Sequence, residues 1–465
     1  MASASLSLLD LGFFITESAA SPKHVAGLLV FERPAKAPRS FARQLYTRYL
    51  GYTDVKPPFN RVIRFEMTSL PGWQAVDRID PKKHLFYHRL ERGENDRKAL
   101  YKLVAKLHTP MLDRSRPLWE VHVIDGLEGG RFALYQKMHH ACADGVTMMR
   151  WTAENLATTA EDLALKPIWT QAHDRRPDRE SPGGPELLAT IWSGAAETAR
   201  RALGLGRLAT MMALETASLT KNAIALPFLA TAKTPLTGTV TKGRQFASAA
   251  VPMERVNLIR KRTRSTLNHI ALTCLDGALR RYLEEHGYEL ERPITIQMPV
   301  NLRPPGEKRA GNKIGIIQVE LSPPTDDPYV RLRNIGFSLR GVRNMVDSVA
   351  AEAIESYTVI SGLVALTAET LNLSNTLPPM SNTLVSNVPG PKDFLYLLGA
   401  KMTEMHPIST LPPSNLLNIT LVSYADQLFF GLIATDQVSH LDRLGTYVQE
   451  AFTELEDAVL DAHTR

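Results

Sequence analysis

At 465 residues the chain exceeds the size at which a single hydrophobic core usually stops growing, so we expect two domains. Its hydrophobic fraction of 44% and charged fraction of 22% are typical of a globular protein and argue against extensive disorder. No uninterrupted apolar run reaches the roughly 20 residues that a membrane-spanning helix needs. Two cysteines are too few for a disulfide framework.

The formal charge of +6 and the pI of about 9.1 favour an anionic partner. Nucleic acid and an anionic lipid surface would both attract this charge. The sequence has no recognisable nucleic-acid-binding module and little interleaving of basic and aromatic residues. We therefore expect no nucleic acid and a contact with a membrane surface. The two cysteines and the lack of a charged-then-apolar signal segment near the N-terminus predict a cytoplasmic location.

The first half contains a heptapeptide, 139–145 (HHACADG), that follows a predicted strand over 131–138 (RFALYQKM). Beyond it the apolar residues take up helical spacing at Val146, Met149, Ala153 and Leu156. The heptapeptide therefore lies in a strand-to-helix turn. An imidazole titrates near neutral pH and can act as a general base. Consecutive strand side chains point to opposite faces, so only one of His139 and His140 is expected to be that base.

The heptapeptide has other interpretations. His139, His140, Cys142 and Asp144 are all possible zinc ligands. Adjacent histidines are poorly placed to chelate one ion, and no H-E-x-x-H or paired Cys-x-x-Cys pattern accompanies them, so we expect no metal. Alternatively, the histidines are buried and hydrogen-bonded to backbone, and Asp144 caps a helix that starts at Gly145. Spacing alone leaves catalysis and this structural role in balance.

Composition sets the predicted domain boundaries. Residues 166–186 are rich in proline, glycine and charge, as a solvated linker is, and 187–232 are rich in alanine and leucine with helical character. We predict an N-terminal subdomain over 1–165, a linker with crossover helices over 166–245 and a C-terminal subdomain over 246–465. Helices alternate with strand-like runs, which predicts an α/β fold. In the second half the runs are 294–299, 314–321, 382–386 and 416–423, and a helical apolar stripe comprises Leu267, Ala271, Leu275, Ala278 and Tyr282.

Ordered sequence blocks carry a resemblance to a known family. The heptapeptide has the form HHxxxDG, which resembles the acyltransferase superfamily of chloramphenicol acetyltransferase, peptide-synthetase condensation domains and plant acyltransferases. Over nearly its whole length the chain is similar to the bacterial wax ester synthase/acyl-CoA:diacylglycerol acyltransferase family. Beside the heptapeptide, the blocks are 8–32 (with Glu17), 112–120 (LDRSRPLWE), 266–280, 299–304 (PVNLRP) with 311–312, 386–391 (SNVPGP) and 430–432 (FGL).

The resemblance implies a fold and an activity. The fold is two chloramphenicol-acetyltransferase-like subdomains, each a mixed sheet with flanking helices, joined by a helical crossover. The activity is transfer of a long-chain acyl group from acyl-CoA, a co-substrate rather than a cofactor, to a fatty alcohol or diacylglycerol. The resemblance selects His140 as general base and leaves His139 without an assigned role.

The resemblance also suggests roles around the heptapeptide. Asp144 is expected to hold the turn through an arginine, for which Arg303 is the candidate, and Gly145 to permit tight passage from strand to helix. Cys142 is a possible nucleophile, but the resemblance implies direct transfer without an acyl-enzyme.

Three further residues are candidates for substrate binding. Asn268 either orients substrate and donates to the oxyanion or is an ordinary amide in a first helical turn. Ser386 and Asn387 precede a rigid Val-Pro-Gly-Pro turn and are expected to line the substrate site. The family usually has Asp after this Asn, where the chain has His269.

Two alternative functions stay open. The same fold can use a carrier-protein-bound thioester, as condensation domains do, or serve as a non-catalytic lipid-surface protein. The intact heptapeptide counts against the non-catalytic alternative. A basic cluster at 260–264 (RKRTR) is either a solvated helix face or a contact for CoA phosphates or lipid headgroups.

Overall fold

The computed structural model describes residues 4–6, 8–64, 71–91, 96–172, 232–302, 314–348, 351–371 and 377–461. The proline-rich segment from 173 onward, the predicted crossover helices up to 231, and Arg303 lie outside these ranges. Within them, every helix falls short of the length or the apolarity needed to cross a membrane.

Helices and strands alternate along the described chain, as predicted. The strands are β1 (Ala4–Ser5), β2 (His24–Glu32), β3 (Arg61–Arg64), β4 (Gly72–Ala75), β5 (Leu85–Arg89), β6 (Trp119–Asp125), β7 (Arg131–His139), β8 (Arg244–Pro252), β9 (Thr295–Asn301), β10 (Ile314–Glu320), β11 (Thr383–Pro389), β12 (Tyr396–Leu397), β13 (Ala400–Ile408), β14 (Leu417–Tyr424) and β15 (Gln427–Thr435). The helices are α1 (Leu8–Thr16), α2 (Phe41–Tyr49), α3 (Asp96–His108), α4 (Gly145–Asn155), α5 (Met253–Thr263), α6 (Leu267–Glu285), α7 (Pro328–Ser348), α8 (Ala351–Thr370) and α9 (Leu441–Asp461).

The first of two compact units comprises the described residues up to 172 together with 388–410. Its six-stranded sheet has the order β12-β13-β2-β7-β6-β5, and β1, β4 and β3 form a smaller sheet. The large sheet is mixed, because β5 and β6 are parallel while the other four pairs of neighbouring strands are antiparallel. The central pair, β2 and β7, stays in register from His24 opposite His139 to Glu32 opposite Arg131. This register brings the heptapeptide to one end of the sheet.

The strands β12 and β13 return to this sheet from far along the chain. Strand β13 pairs with β2 from Lys401 opposite Glu32 to Ile408 opposite Ala26, with an irregularity between Met402 and Glu404. The boundaries predicted from composition place residues 246–465 in one subdomain. They therefore do not assign β12 and β13 to the first unit. Alternating apolar residues predict that a strand forms, but they do not tell which sheet it joins.

The second unit contains the described residues of 232–302, 314–387 and 411–461. Its sheet has the order β10-β9-β11-β14-β15-β8 and is also mixed, since β11 runs parallel to β9. Strands β9, β10, β11 and β14 confirm the four predicted strand-like runs. In α6 the predicted stripe is buried at Ala271, Leu275, Ala278 and Tyr282. The expected mixed α/β fold with two sheet-containing halves is confirmed.

A buried ion cluster holds α6 against α7. The Asp276 carboxylate is fully buried and accepts from Arg280 Nε at 2.7 Å, while Arg331 Nε lies 3.2 Å from the same oxygen. Burial raises the pKa of Asp276, and the two guanidinium groups oppose that rise. The helices approach closely here, because a Cβ added to Gly277 would lie 2.7 Å from Arg331 Nη1.

Replacing Asp276 with alanine should strongly destabilise the second unit, because two buried arginines lose their counter-charge. Breaking a buried ion pair from one side costs about 3–5 kcal/mol. The exposed pair Arg343–Asp347, at 3.8 Å, is a matched control, and Asp347→Ala should cost less than about 1 kcal/mol. Urea unfolding followed by circular dichroism measures both changes, and equal midpoints for the two variants would contradict the role given to the cluster.

Candidate functional site

The heptapeptide forms the predicted strand-to-helix turn. Strand β7 ends at His139 and α4 begins at Gly145. The His139 N–H donates to the Leu118 carbonyl at 3.0 Å, and the His140 N–H donates to the Lys23 carbonyl at 2.8 Å. The backbone of both histidines is therefore tied to neighbouring segments of the first unit.

Helix α4 confirms the helix that the apolar spacing predicted, and tertiary packing decides which of its faces is buried. Val146, one of the apolar residues at helical spacing, is 39% exposed. The helix instead buries the face that carries Thr147, Met148, Trp151, Thr152 and Asn155. This orientation is favoured because the fully buried indole of Trp151 removes more apolar surface from water than Val146 would.

Both ring nitrogens of His139 face protein groups. Nδ1 accepts from the Ala141 N–H at 3.1 Å, so the network assigns the proton to Nε2. Nε2 lies 3.5 Å from Glu17 Oε1, and the ring stacks on Phe14 with centroids 4.4 Å apart. Its side chain is 1% exposed. This geometry suits a residue that holds the turn rather than one that meets a substrate.

Glu17 is a functional candidate that the sequence reasoning did not assign. Its oxygens accept from the Lys23 N–H at 3.0 Å and from Arg114 Nη2 and Nε at 2.7 and 3.2 Å. Burial opposes its ionisation, but the interactions with His139, Lys23 and Arg114 outweigh burial and lower its pKa to about 2. Glu17 stands in the resembling block 8–32, yet no spacing rule connects it with a motif more than a hundred residues away.

His140 is the other histidine of the turn. Its ring stacks on Phe13 with centroids 4.2 Å apart and an interplanar angle of 23°. Burial lowers the pKa of His140 to about 4, and the negative charge of Asp144 only partly opposes this. The imidazole is therefore neutral at physiological pH, which is the protonation state that a general base requires.

Asp144 and Gly145 shape the start of α4. Asp144 Oδ1 accepts from the Thr147 N–H at 2.8 Å, which is the N-cap bond expected from sequence. A Cβ added to Gly145 would lie 3.2 Å from Val388 Cγ2, tighter than ordinary contact. A side chain at position 145 would therefore require Val388 to shift by a few tenths of an ångström.

A charged layer continues along β6 and β7. Lys137 is 1% exposed, and its Nζ donates to the carbonyls of Leu107 at 3.1 Å and Pro110 at 2.6 Å. Burial lowers the pKa of Lys137 to about 8. Glu120 Oε2 lies 4.0 Å from Lys137 Nζ and 3.5 Å from His122 Nε2. The negative charge of Glu120 therefore partly offsets the positive charge of the buried Lys137 inside the first unit.

Three predicted residues lie in the second unit. Asn387 donates through Nδ2 to Asn268 Oδ1, so the structure brings these two amides together. Ser386 Oγ lies 3.3 Å from Thr420 Oγ1. His269 replaces the family's usual acid, and its N–H donates to the Thr266 side chain that caps α6.

Comparison with solved structures defines the fold class. The wax ester synthase/diacylglycerol acyltransferase of Marinobacter aquaeolei VT8 matches with a TM-score of 0.75 and 28% identity, covering 98% of this chain and 99% of that one. The first condensation domain of the calcium-dependent antibiotic synthetase matches with a TM-score of 0.61 at 14% identity, covering 99% and 98%, which shows the fold alone. The expected fold of two chloramphenicol-acetyltransferase-like halves is confirmed.

Sequence comparison defines the family. The model for the wax ester synthase/diacylglycerol acyltransferase catalytic domain matches residues 6–271, and that for the C-terminal domain matches 310–456. A protein of Mycobacterium tuberculosis described as a "putative diacylglycerol O-acyltransferase" is 33% identical over 465 residues, covering 98% of this chain and all of the relative. The chain belongs to the wax ester synthase/diacylglycerol acyltransferase family and is an acyltransferase.

Substitutions at Asp144 should separate its cap from its charge. Asp144→Ala removes the acceptor for the Thr147 N–H and should cost about 1 kcal/mol of stability. Asp144→Asn keeps an acceptor and should stay near wild type, because asparagine caps helices equally well. Thermal unfolding measures both. A loss of stability in Asp144→Asn equal to that in Asp144→Ala would show that the charge, not the cap, stabilises the turn.

Glu17→Gln should lower the melting temperature at neutral pH by an amount that shrinks in acid. The folded protein holds the Glu17 pKa at about 2, below its ordinary 4.5, so the folded state binds fewer protons than the unfolded state between these values. The stability from Glu17 is therefore present above about pH 4.5 and lost as the pH falls toward 2. Melting curves of both proteins from pH 7 to 2.5 test this, and a constant gap over that range would contradict it.

Proposed function

We propose that this acyltransferase moves a long-chain acyl group from acyl-CoA to the hydroxyl of a fatty alcohol, of diacylglycerol, or of both, with His140 as general base. The observation that carries the proposal is the neutral, Phe13-stacked imidazole of His140 at the end of β7. The family's name supports the acceptors, since its members are described as wax ester synthases and diacylglycerol acyltransferases.

The proposed chemistry needs one proton carrier. His140 takes the hydroxyl proton as the alcohol oxygen attacks the thioester carbon of acyl-CoA. The tetrahedral intermediate then collapses, the carbon–sulfur bond breaks, and His140 returns the proton to the departing thiolate of CoA. Acyl-CoA is thus a co-substrate, and the reaction requires no separate cofactor or metal. A general base of this kind contributes roughly 10² to 10⁴ in rate, and one oxyanion donor roughly 10² to 10³.

Asp144 and His139 assist the base in this proposal. The transient imidazolium on His140 is favoured by the negative charge of Asp144, which raises the pKa of His140 against the effect of burial. His139 acts as a positioning residue, because its Nδ1 fixes the Ala141 N–H and its Nε2 faces Glu17.

The amide pair of the second unit is proposed to contact substrate. Asn268 Oδ1 accepts a hydrogen bond from Asn387 Nδ2. We therefore assign the other amide group of Asn268, Nδ2, to a hydrogen bond with the substrate or the oxyanion. Ser386, beside Thr420, is assigned to the substrate on sequence grounds. His269 cannot supply the carboxylate that other family members carry at this position.

The acceptors are insoluble in water, so the enzyme is proposed to work at a membrane or lipid-inclusion surface to which it binds peripherally. Neither Cys142 nor Cys274 forms a disulfide, which is consistent with the proposed location in a reducing cytoplasm.

Incubating the purified protein with palmitoyl-CoA and either hexadecanol or a diacylglycerol should release free CoA and form neutral lipid. His140→Ala should lower this rate by roughly 10² to 10⁴. Cys142→Ala is the matched control within the same turn and should retain activity, because direct transfer needs no acyl-enzyme. Ester formation that survives in His140→Ala would refute the general base. Activity only with a carrier-bound thioester would replace the proposed donor.

The acid limb of kcat/KM should lie well below pH 6.5, because burial holds the pKa of His140 near 4 in the free enzyme. The rate should stay nearly constant between pH 8 and 6, where His140 is neutral, and fall in more acidic solution as it takes up a proton. Initial rates after a short acid exposure, with recovery at pH 7 as a check on folding, measure the limb. A limb centred at 6.5 would contradict a buried base.

A further inference from the structure

Two stretches of the second unit contain no acidic residue. Between Glu254 and Asp276 the sequence has five arginines and lysines, and between Asp327 and Asp347 it has four. Three of these nine lie beside a carboxylate, since Arg255 pairs with Glu456, Arg331 pairs with Asp276, and Arg343 forms an exposed pair with Asp347 at 3.8 Å. The other six are exposed, so their charge is directed to solvent rather than to the protein, and Arg343 is exposed as well.

Helix α7 presents an exposed aromatic among these charges. Val330, Arg333, Phe337 and Arg340 recur at helical spacing and form one exposed face, while Leu332 and Ile335 on the opposite side are buried in the core. Phe337 is 61% exposed, and the Arg340 guanidinium lies 4.5 Å from its ring centroid. An exposed aromatic between arginines is typical of helices that rest on a lipid surface.

The basic end of α5 adjoins this face through the first turn of α6. A Cβ added to Gly336 of α7 would lie 3.7 Å from His269 Nδ1. Arg264 precedes His269 by five residues, so the two Cα atoms are separated by at most roughly 18 Å. Arg264 ends α5 in a left-handed conformation. We call the combined surface the basic face; it comprises Arg260, Lys261, Arg262, Arg264, Arg333, Phe337, Arg340 and Arg343.

We infer that the basic face is the site at which the protein binds the surface of a membrane that contains anionic phospholipid. The arginines and lysines meet the lipid phosphates, and Phe337 enters the boundary between headgroups and acyl chains. Charge complementarity selects an anionic partner, and the exposed aromatic selects a lipid surface over a soluble phosphate compound. The inference rests on the proposed function in one respect, namely that the acceptor is drawn from a lipid phase.

Co-sedimentation of the full-length protein with vesicles tests the inference without any turnover. Vesicles of phosphatidylglycerol and phosphatidylcholine should bind the protein, vesicles of phosphatidylcholine alone should bind it far less, and raising the salt from 50 to 500 mM should weaken the binding. Each basic residue at an anionic surface contributes roughly a fivefold factor, so Arg333→Gln with Arg340→Gln should lower the partition coefficient about 25-fold. Phe337→Ala should weaken binding without changing the charge.

A charge-matched control removes two exposed basic residues elsewhere in the second unit, Arg292→Gln with Lys242→Gln, and should bind within about twofold of wild type. Equal loss in the control and the test variant, or equal binding to both kinds of vesicle, would overturn the inference. Displacement from the vesicles by free CoA would also overturn it, because the face would then bind the CoA phosphates. Ester formation in detergent micelles is measured in parallel. Its absence would refute the proposed function alone, while normal turnover with no vesicle binding would refute the basic face alone.

Discussion

The buried carboxylate of Glu17 is the group on which the geometry of the HHxxxDG turn depends. It lies at the end of the first helix and binds the backbone of Lys23, the guanidinium of Arg114 and, at longer range, the ring of His139. Lys23 in turn accepts the His140 N–H through its carbonyl oxygen. One ionised side chain therefore connects the end of the N-terminal helix, the residue that precedes strand β2 and both histidines. Removing it would leave buried polar groups without a hydrogen-bond partner. The loss of stability from such groups exceeds the net stabilisation that the hydrogen bonds themselves provide.

Local patterns predicted much of this arrangement, because they depend on neighbours in sequence. Alternation along 131–138 and the cap at Asp144 gave the strand, the turn and the start of α4 correctly. The same spacing does not tell which face of α4 is buried, since packing of Trp151 is decided by residues distant in the chain. Spacing also could not show that Lys137 is buried, because its two carbonyl acceptors, Leu107 and Pro110, lie in another segment.

The choice between the two histidines illustrates where sequence reasoning ends. Strand periodicity required that they face different surroundings but did not say which one would be the base, and the family resemblance selected His140. The structure supplies the physical difference. His139 has each ring nitrogen directed at a protein group, whereas His140 is stacked on one phenylalanine and kept neutral by burial. Its contacts come from Phe13 and Lys23, over a hundred residues away, so no local pattern contains them.

Strand β13 has a consequence for how the chain acquires its fold during synthesis. It lies between β2 and β12 in the sheet of the first unit, yet it is made only when residue 408 has been translated. Until then β2 is an edge strand with unpaired backbone groups, which is a known template for aggregation. A ribosome that has completed residues 1–165 has thus produced an open sheet rather than a finished domain. Expression of the N-terminal half alone would yield a fragment prone to aggregation. During synthesis the nascent chain must be protected from aggregation while more than 240 further residues emerge.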